Sequence, residues 1–287
     1  MRIPQGARVR RGLIAVALAA FALAGCGRGG TDAAPGAPRR VVCASPAVAE
    51  IVFALNCGDR VAGVSEFTDW PPEAAAKPTI GGALSPNRER IVALEPDLIL
   101  AQGKSEALGA FARAQGIGFR SFPLDTLADL RAAIAGFAQA LGVADEGQRL
   151  LARLDAEFAA LPAGEPVPAF IALGHAPGDL SGLMTSGPGT FLSEIVALAG
   201  GRNVFGDVDA LWPKISQETL VRRQPAVILD FQTGPADETR RSALVADWER
   251  LGFRAEQIRI LGEDYLLKPG PRAAQSAARI AAAIRGK

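Results

Sequence analysis

Two acidic residues occupy matched positions in a motif that the chain contains twice. Glu89 stands in SPNRERIVALEPDLILAQG (residues 85–103), and Glu218 stands in SQETLVRRQPAVILDFQTG (residues 216–234). In both copies a proline follows seven residues after the glutamate, and an apolar run comes next. Carboxylates near a helix start can form charge-assisted pairs with a partner's arginines. They can also be ordinary solvated groups that the helix dipole stabilises.

Aromatic and polar residues in loops form a second group of candidates, and they suit ligand binding. The candidate ligand-binding residues are Phe67, Trp70, Trp212, Asp264 and Tyr265. Exposed loop aromatics fit a large, flat, apolar ligand with polar edges, although each could instead anchor its own loop. The lone histidine, His175, follows a predicted strand and could ligate a metal, although a lone histidine is more often structural or solvent-exposed.

The elements that must position these residues follow from the repeat. Each copy predicts a short amphipathic helix, a proline that ends it and a buried strand. The copies lie about one domain length apart, which is too long for a solenoid. Strands that alternate with helices imply a mainly parallel sheet with helices on its faces. The predicted fold class is therefore α/β, with two Rossmann-like lobes and a ligand cleft between them.

The helical pattern also predicts where the lobes begin and end. Residues 40–143 are expected to form the N-terminal lobe and residues 163–287 the C-terminal lobe. Residues 144–162 are expected to form a single long bridging helix, because apolar residues recur there at helical spacing. A helical bridge resists bending, so we expect the lobes to open and close only modestly.

The N-terminus has the composition of a processing segment. Residues 1–26 join a basic start to a short apolar stretch and end in Leu-Ala-Gly-Cys, which looks like a bacterial lipobox with Cys26 as the lipidated residue. The alternative is an ordinary signal peptide in which Cys26 is incidental. Residues 27–39 lack apolar periodicity and are expected to be a flexible tether. The prediction is a lipid-anchored protein of the periplasm or cell envelope, with the membrane leaflet undecided.

Composition limits the partners. The chain has 287 residues, with 31 Lys and Arg against 30 Asp and Glu, so nothing suggests a nucleic-acid surface.

Export would permit a disulfide between Cys43 and Cys57. A helix of about ten residues, roughly 15 Å long, is predicted between them. Since bridged Cα atoms must lie within about 7 Å, buried free thiols are favoured over a disulfide.

The chain resembles the class III substrate-binding proteins of ABC importers over nearly all of residues 40–285. The matching stretches are RVVCASPAVAEIVFAL, DRVAGVSEFTDWPPEA and NRERIVALEPDLILA in the first lobe and TSGPGTFLSEIVALAGGRNVF, LWPKISQETLVRRQPAVIL and DYLLKPGPR in the second. The resemblance implies an extracytoplasmic receptor that delivers vitamin B12, haem or an iron–siderophore to an ABC permease and its ATPase. It also places permease-docking carboxylates at Glu89 and Glu218.

Individual segments within this resemblance narrow the choice among these ligands. The LWPKIS segment around Trp212 looks most like the vitamin B12-binding receptors, although those receptors place a tryptophan where this chain has Ala83. DYLLKPGPR is closer to the haem receptors. Haem commonly takes a Tyr or His axial ligand, and the first lobe has neither. The prediction is a corrinoid, with haem or a ferric siderophore as the alternative. His175 is the candidate ligand for the metal of such a chelate, and no intrinsic cofactor is expected.

An enzyme is not predicted. No G-x-S-x-G nucleophile motif surrounds His175. The Gly-rich stretch at residues 185–189 is no P-loop, because no GK[ST] follows it. A structural or adhesive protein is the remaining alternative, and it would be colourless after purification from its host. A receptor for a metal chelate would often carry coloured ligand. We expect the receptor to be a monomer.

Overall fold

The computed structural model describes residues 36–234 and 237–286. It contains two four-stranded parallel sheets with the same strand order. The first sheet has the order β2-β1-β3-β4, formed by β1 (Val41–Cys43), β2 (Val61–Val64), β3 (Leu98–Gln102) and β4 (Gly118–Phe122). The second has the order β6-β5-β7-β8, formed by β5 (Val167–Leu173), β6 (Gly201–Asn203), β7 (Val227–Phe231) and β8 (Ile258–Leu261). The predicted fold class is confirmed.

Helices connect these strands, as parallel pairing requires. In the first lobe they are α1 (Pro46–Ala54), α2 (Pro72–Ala75), α3 (Arg88–Ala93), α4 (Glu106–Ala114) and α5 (Leu127–Ala140). The helix α6 (Ala144–Ala159) follows, and the second lobe adds α7 (Phe191–Leu198), α8 (Gln217–Arg223), α9 (Glu238–Arg250) and α10 (Ala273–Ile284). Polar caps start several of them. The Ser45 hydroxyl accepts the Val48 amide at α1, and Thr126 forms a reciprocal capping box with Asp129 at α5.

The repeated motif has the same local structure in both lobes. Its helix is α3 in the first copy and α8 in the second, and a side-chain cap precedes each, from Asn87 and Ser216. Each helix is followed by a residue with a left-handed backbone, Glu95 or Gln224, with φ of 45° in both cases. The proline then begins the approach to β3 or β7. The duplication therefore extends from the sequence to the backbone geometry.

The main hydrophobic core runs through both lobes without a break. Residues of β1 and β3 belong to the same buried cluster as residues of β5 and β7, and residues of α5, α6, α7 and α10 belong to it as well. Leu150 and Leu154 of α6 are buried in this cluster. Smaller clusters cover the outer face of each sheet. The lobes are therefore joined by a shared core as well as by α6. A packed core of this kind resists deformation.

Some expectations differ from the structure. Helix α2 begins two residues after Trp70, which was expected to lie in a loop, and β6 was missed because Gly201–Asn203 lacks the β-branched residues typical of strands. Cys43 and Cys57 are buried free thiols, as predicted, and burial raises the pKa of Cys43 to about 12. Cys26 and residues 27–35 lie outside the described residues. Within the described ranges, no helix has the length and hydropathy of a membrane span.

Candidate functional site: a cleft between the lobes

A cavity of about 450 Å³ lies where the two lobes meet. Its wall is largely apolar, with Leu124 from the first lobe and Leu173, Phe191, Leu192, Phe231 and Leu267 from the second. Polar residues line it at a few points: Gln102, Asp125, His175, Gln232, Thr233 and Arg240. A mostly apolar concave wall with a few polar groups is the usual form of a small-molecule site.

The strand order explains why the cavity forms at this place. Strand β5 lies between β6 and β7, so the connections leave it in opposite directions and open a crevice at its carboxyl end. Strand β5 ends at Leu173 and strand β7 ends at Phe231. Both residues line the cavity, together with Gly174 and Gln232, which come directly after them. Gly174 has φ of 71°, which turns the chain away from the strand end.

Trp212 is the predicted ligand-binding residue that lines this cavity, and half of its surface is exposed. Its loop is held against the Gly-rich turn at residues 185–189. The Thr185 amide donates to the Pro213 carbonyl at 3.0 Å, and the Gly187 amide donates to the Leu211 carbonyl at 2.8 Å. A Cβ atom at position 187 would lie 1.8 Å from the Ala210 oxygen. Glycine there lets the backbones approach and so fixes the place of Trp212.

The His175 imidazole is fully buried and takes part in a polar network. Its Nε2 lies 2.8 Å from Oδ2 of Asp230, and the same oxygen accepts the Trp248 indole N–H at 2.8 Å. Gln232 donates to the other Asp230 oxygen at 2.6 Å and accepts from Arg240 at 3.1 Å. The network thus orients Gln232 and Arg240, which line the cavity.

Opposing effects set the pKa of His175, and burial is the largest single one. Burial alone would lower the pKa of His175, but the hydrogen bond and the negative charge of Asp230 outweigh it and raise the pKa above its ordinary value. The side chain has no exposed surface. His175 is among the residues that line the inter-lobe cavity, and its role as a ligand for a chelated metal stays a prediction. Within residues 36–234 and 237–286, no cluster of three or more His, Cys, Asp or Glu side chains is placed to hold a metal ion.

Two of the predicted ligand-binding residues, Trp70 and Tyr265, surround an arginine instead of lining the cavity. The Arg272 guanidinium lies 5.1 Å from the Trp70 ring centre and 5.0 Å from the Tyr265 ring centre. Arg272 also forms two hydrogen bonds to the buried Glu50 carboxylate, at 2.9 and 2.6 Å. We call these four residues the inter-lobe clamp, because Glu50 and Trp70 belong to the first lobe and the other two to the second.

The other two predicted ligand-binding residues also lie off the cavity wall. Asp264 accepts a hydrogen bond from the Gly234 amide at 3.0 Å. Phe67 is 84% exposed, with φ of 61°. Its neighbour Asp69 forms a second inter-lobe ion pair with Lys268 at 2.6 Å. The loops that carry Trp70 and Tyr265 thus meet at Arg272. Of the five predicted ligand-binding residues, Trp212 alone lines the inter-lobe cavity.

Glu89 and Glu218 occupy equivalent places. Each is the second residue of its helix, in α3 and α8, and both side chains are exposed. Glu218 pairs with Arg222 one turn along at 3.0 Å, an exposed contact that contributes little to stability. Both carboxylates therefore remain accessible from solvent.

The sequence reasoning missed several polar residues of the wall. Gln102, Gln232 and Arg240 carry no motif, but the first two stand at or just after the ends of β3 and β7. Since ligands of parallel sheets bind beyond strand ends, the predicted strands could have indicated them. Arg240, two residues inside α9, had no such signal.

Comparison with known proteins identifies the family. A sequence profile described as periplasmic binding protein matches residues 41–239. The vitamin B12-binding protein of Photorhabdus laumondii is 32% identical over 249 residues, which cover 82% of this chain and 84% of that protein. The structure also resembles an apo periplasmic heme-binding protein from Roseiflexus sp. RS-1, with a TM-score of 0.71, 27% identity and coverage of 86% of this chain and 97% of the other. The periplasmic vitamin B12-binding protein of Vibrio cholerae gives a TM-score of 0.68, 25% identity and the same coverages.

Two parallel α/β lobes, an apolar cleft between them and a profile match over more than half of the chain agree with one another. The chain belongs to the periplasmic binding protein family.

Proposed function

We propose that this protein is the extracytoplasmic substrate-binding protein of an ABC importer, and that it captures a corrinoid between its lobes. The observation that carries the proposal is the apolar inter-lobe cavity with the half-exposed Trp212 indole on its wall. A flat, apolar ring system with polar edges suits such a wall, because an indole can stack on its face. The vitamin B12-binding relative supports a corrinoid among the possible flat ligands.

Haem is the second candidate, and a specific observation favours it. The heme-binding protein of Roseiflexus sp. RS-1 has a similar structure at 27% identity. The lining of the cavity contains no tyrosine, and its one histidine, His175, has a side chain with no exposed surface. Since haem iron in proteins commonly takes such an axial ligand, the described residues favour the corrinoid.

The proposal includes delivery and anchoring. Glu89 and Glu218 would dock onto arginines of the permease, one carboxylate from each lobe, as charge-assisted pairs that fix the register. Cys26 would carry the lipid that holds the protein at a membrane face of the periplasm or cell envelope. The protein would act as a monomer and would bind and release its ligand without catalysing a reaction.

A competition experiment separates the two ligand candidates. The protein is purified without ligand, loaded with dicyanocobinamide and then titrated with haemin, while the absorbance of each chromophore in the protein fraction is followed. The proposal predicts that cobinamide stays bound at a molar excess of haemin. Complete displacement by one equivalent of haemin would favour the second candidate. Absence of either chromophore from the protein fraction, with ferric siderophores bound instead, would exclude both ring systems.

A further inference from the structure

Two valines occupy one matched position on the helices of the repeated motif. Val92 in α3 follows Glu89 by three residues, and Val221 in α8 follows Glu218 by three residues. The two valines are 45% and 43% exposed. Eight large apolar side chains are exposed in the described ranges, and of these the alignment of the two copies sets Val92 and Val221 on each other.

Helix packing explains how both copies come to expose a valine. The residue before each valine is buried, Ile91 in α3 and Leu220 in α8. Ile91 packs in one outer cluster with Ile99 of the first sheet, and Leu220 packs in the other with Ile228 of the second sheet. Since successive residues of a helix lie about 100° apart around its axis, the side chain after the buried one turns away from the sheet. Each lobe therefore presents its valine to solvent.

Helix stability gives no reason for valine at these places. A β-branched side chain loses rotamer freedom in a helix, so valine has a lower helix propensity than alanine, lysine or glutamate. One exposed apolar residue needs no explanation, but the same residue type at the same offset in two lobes does. Residues three apart are neighbours on a helix surface. Each valine therefore lies beside the carboxylate of its own copy, and this pair is repeated in the second lobe.

We propose that Val92 and Val221 are apolar contact residues of the surface that docks onto the ABC permease, beside Glu89 and Glu218. The inference rests on the proposed function, which supplies the partner. Interfaces usually combine an apolar, water-free centre with a polar rim, and each valine–glutamate pair provides both parts. The permease would accordingly present, at each of two positions, an arginine with an apolar side chain next to it.

Affinity for the permease tests this inference directly. The permease–ATPase complex of the host is placed in lipid nanodiscs, and surface plasmon resonance gives its dissociation constant for the purified protein. The double variant Val92→Thr with Val221→Thr keeps the β-branched shape and replaces one methyl group of each side chain by a hydroxyl. Binding should weaken by about tenfold or more, because two methyl groups that docking would bury are lost. Each single variant should weaken binding by about threefold.

Leu198→Thr is the matched control. Leu198 is 40% exposed at the end of α7, and the buried residues of α7 belong to the inter-lobe core, whereas Leu220 of α8 belongs to the outer cluster of the same sheet. This variant should change affinity for the complex by less than about twofold. Cobinamide affinity should match that of the wild type in every variant, because none of the three residues lines the inter-lobe cavity.

Salt distinguishes an apolar contact from a charged one. Between about 0.05 M and about 0.5 M sodium chloride, the loss caused by the double valine variant should keep nearly the same factor. The loss caused by Glu89→Ala with Glu218→Ala should shrink over this range, because salt screens charges. A valine effect that disappears with added salt would contradict apolar burial.

Failure of this inference and failure of the proposed function give different results. Wild-type affinity in the double valine variant would overturn the apolar contacts, and docking by the carboxylates would stand if the double glutamate variant still loses binding. A loss no greater than that of Leu198→Thr would overturn them as well. Absence of binding between the complex and a wild-type protein that binds cobinamide would overturn delivery to the permease and, with it, this inference.

Discussion

Trp212 and Trp70 show how the same residue type can have two roles in one protein. Trp212 lies on the cavity wall, in a loop held by backbone hydrogen bonds to the turn around Gly187. Trp70 packs on Arg272 in the inter-lobe clamp. Sequence reasoning marked both as ligand-binding candidates, because loop position alone does not reveal what an aromatic ring will contact.

The first prediction compares these two tryptophans. Trp212→Ala should weaken corrinoid binding by about 1–3 kcal/mol, as expected for a buried aromatic anchor, with little change in stability. Trp70→Ala is the control and should mainly lower the unfolding free energy, because it removes a cation–π contact between the lobes. Calorimetry gives the affinities, and chemical denaturation gives the stabilities. Unaltered affinity in a folded Trp212→Ala protein would make that residue a loop anchor.

The second prediction concerns His175. The folded protein raises the pKa of His175, so over the interval between the unfolded and folded values the native state holds the proton more strongly. The ring's contribution to stability is fully present below about pH 6.5, the unfolded value, and is lost as pH rises through the raised pKa.

The difference in unfolding free energy between wild type and His175→Gln isolates this contribution and should become smaller as pH rises over that interval. Denaturation curves collected at several pH values provide the measurement. A difference that stays constant, or grows with pH, would contradict the charged pairing of His175 with Asp230.

The inter-lobe clamp brings together residues from elements that are far apart in the sequence. Its members come from α1, from the loop before α2 and from the segment between β8 and α10. Together with the continuous core, this contact ties the lobes at a place away from α6. The modest opening inferred from a helical bridge thus has two further physical reasons, and neither could be predicted from the sequence. Glu50 and Arg272 are separated by most of the chain, and no local pattern pairs them.

The third prediction tests the clamp. Glu50→Gln should lower the unfolding free energy by about 3 kcal/mol, because Arg272 loses its charge partner in a largely buried position. Arg153→Gln is the matched control: it removes an exposed i,i+4 pair at 3.9 Å and should cost less than about 0.5 kcal/mol. Chemical denaturation compares the two variants. Equal effects would show that the clamp contributes no more than a surface pair.

Elements were predicted best where pattern and packing agree. The helix α6 begins at Ala144, where the spacing of apolar residues predicts the start of the bridging helix. The edge strand β6 was missed, because its three residues are held by pairing with β5 and have no strand propensity of their own. The cavity wall could be predicted only in part from the sequence. The ends of the strands indicate where a ligand site lies, but they do not indicate which side chains line it.

At the scale of the whole molecule, the duplication links ligand capture to delivery. Each lobe supplies residues to the wall of the inter-lobe cavity and an exposed carboxylate at the second position of the repeat helix. A partner that contacts both carboxylates would sense the arrangement of both lobes at once. This division of roles predicts that docking and ligand binding can be separated by mutation.

The fourth prediction separates them. The double variant Glu89→Ala with Glu218→Ala should lose uptake in vesicles that contain the permease, since charge-assisted contacts typically contribute about 1.5–3 kcal/mol each. Its corrinoid affinity should stay near that of the wild type, because neither residue lines the cavity. Uptake and affinity are measured on one preparation. Normal transport by the double variant would remove the docking assignment, and lost affinity would place these residues at the ligand.

The central claim is that a corrinoid binds in the cleft, and calorimetric titration of the purified wild-type protein with dicyanocobinamide tests it most directly. The account predicts one ligand per chain and a dissociation constant of about 1 μM or tighter, which corresponds to about −8 kcal/mol. It also predicts a negative heat-capacity change from burial of apolar surface. No binding heat at any temperature used, from a protein that binds haemin or a ferric siderophore under the same conditions, would contradict it.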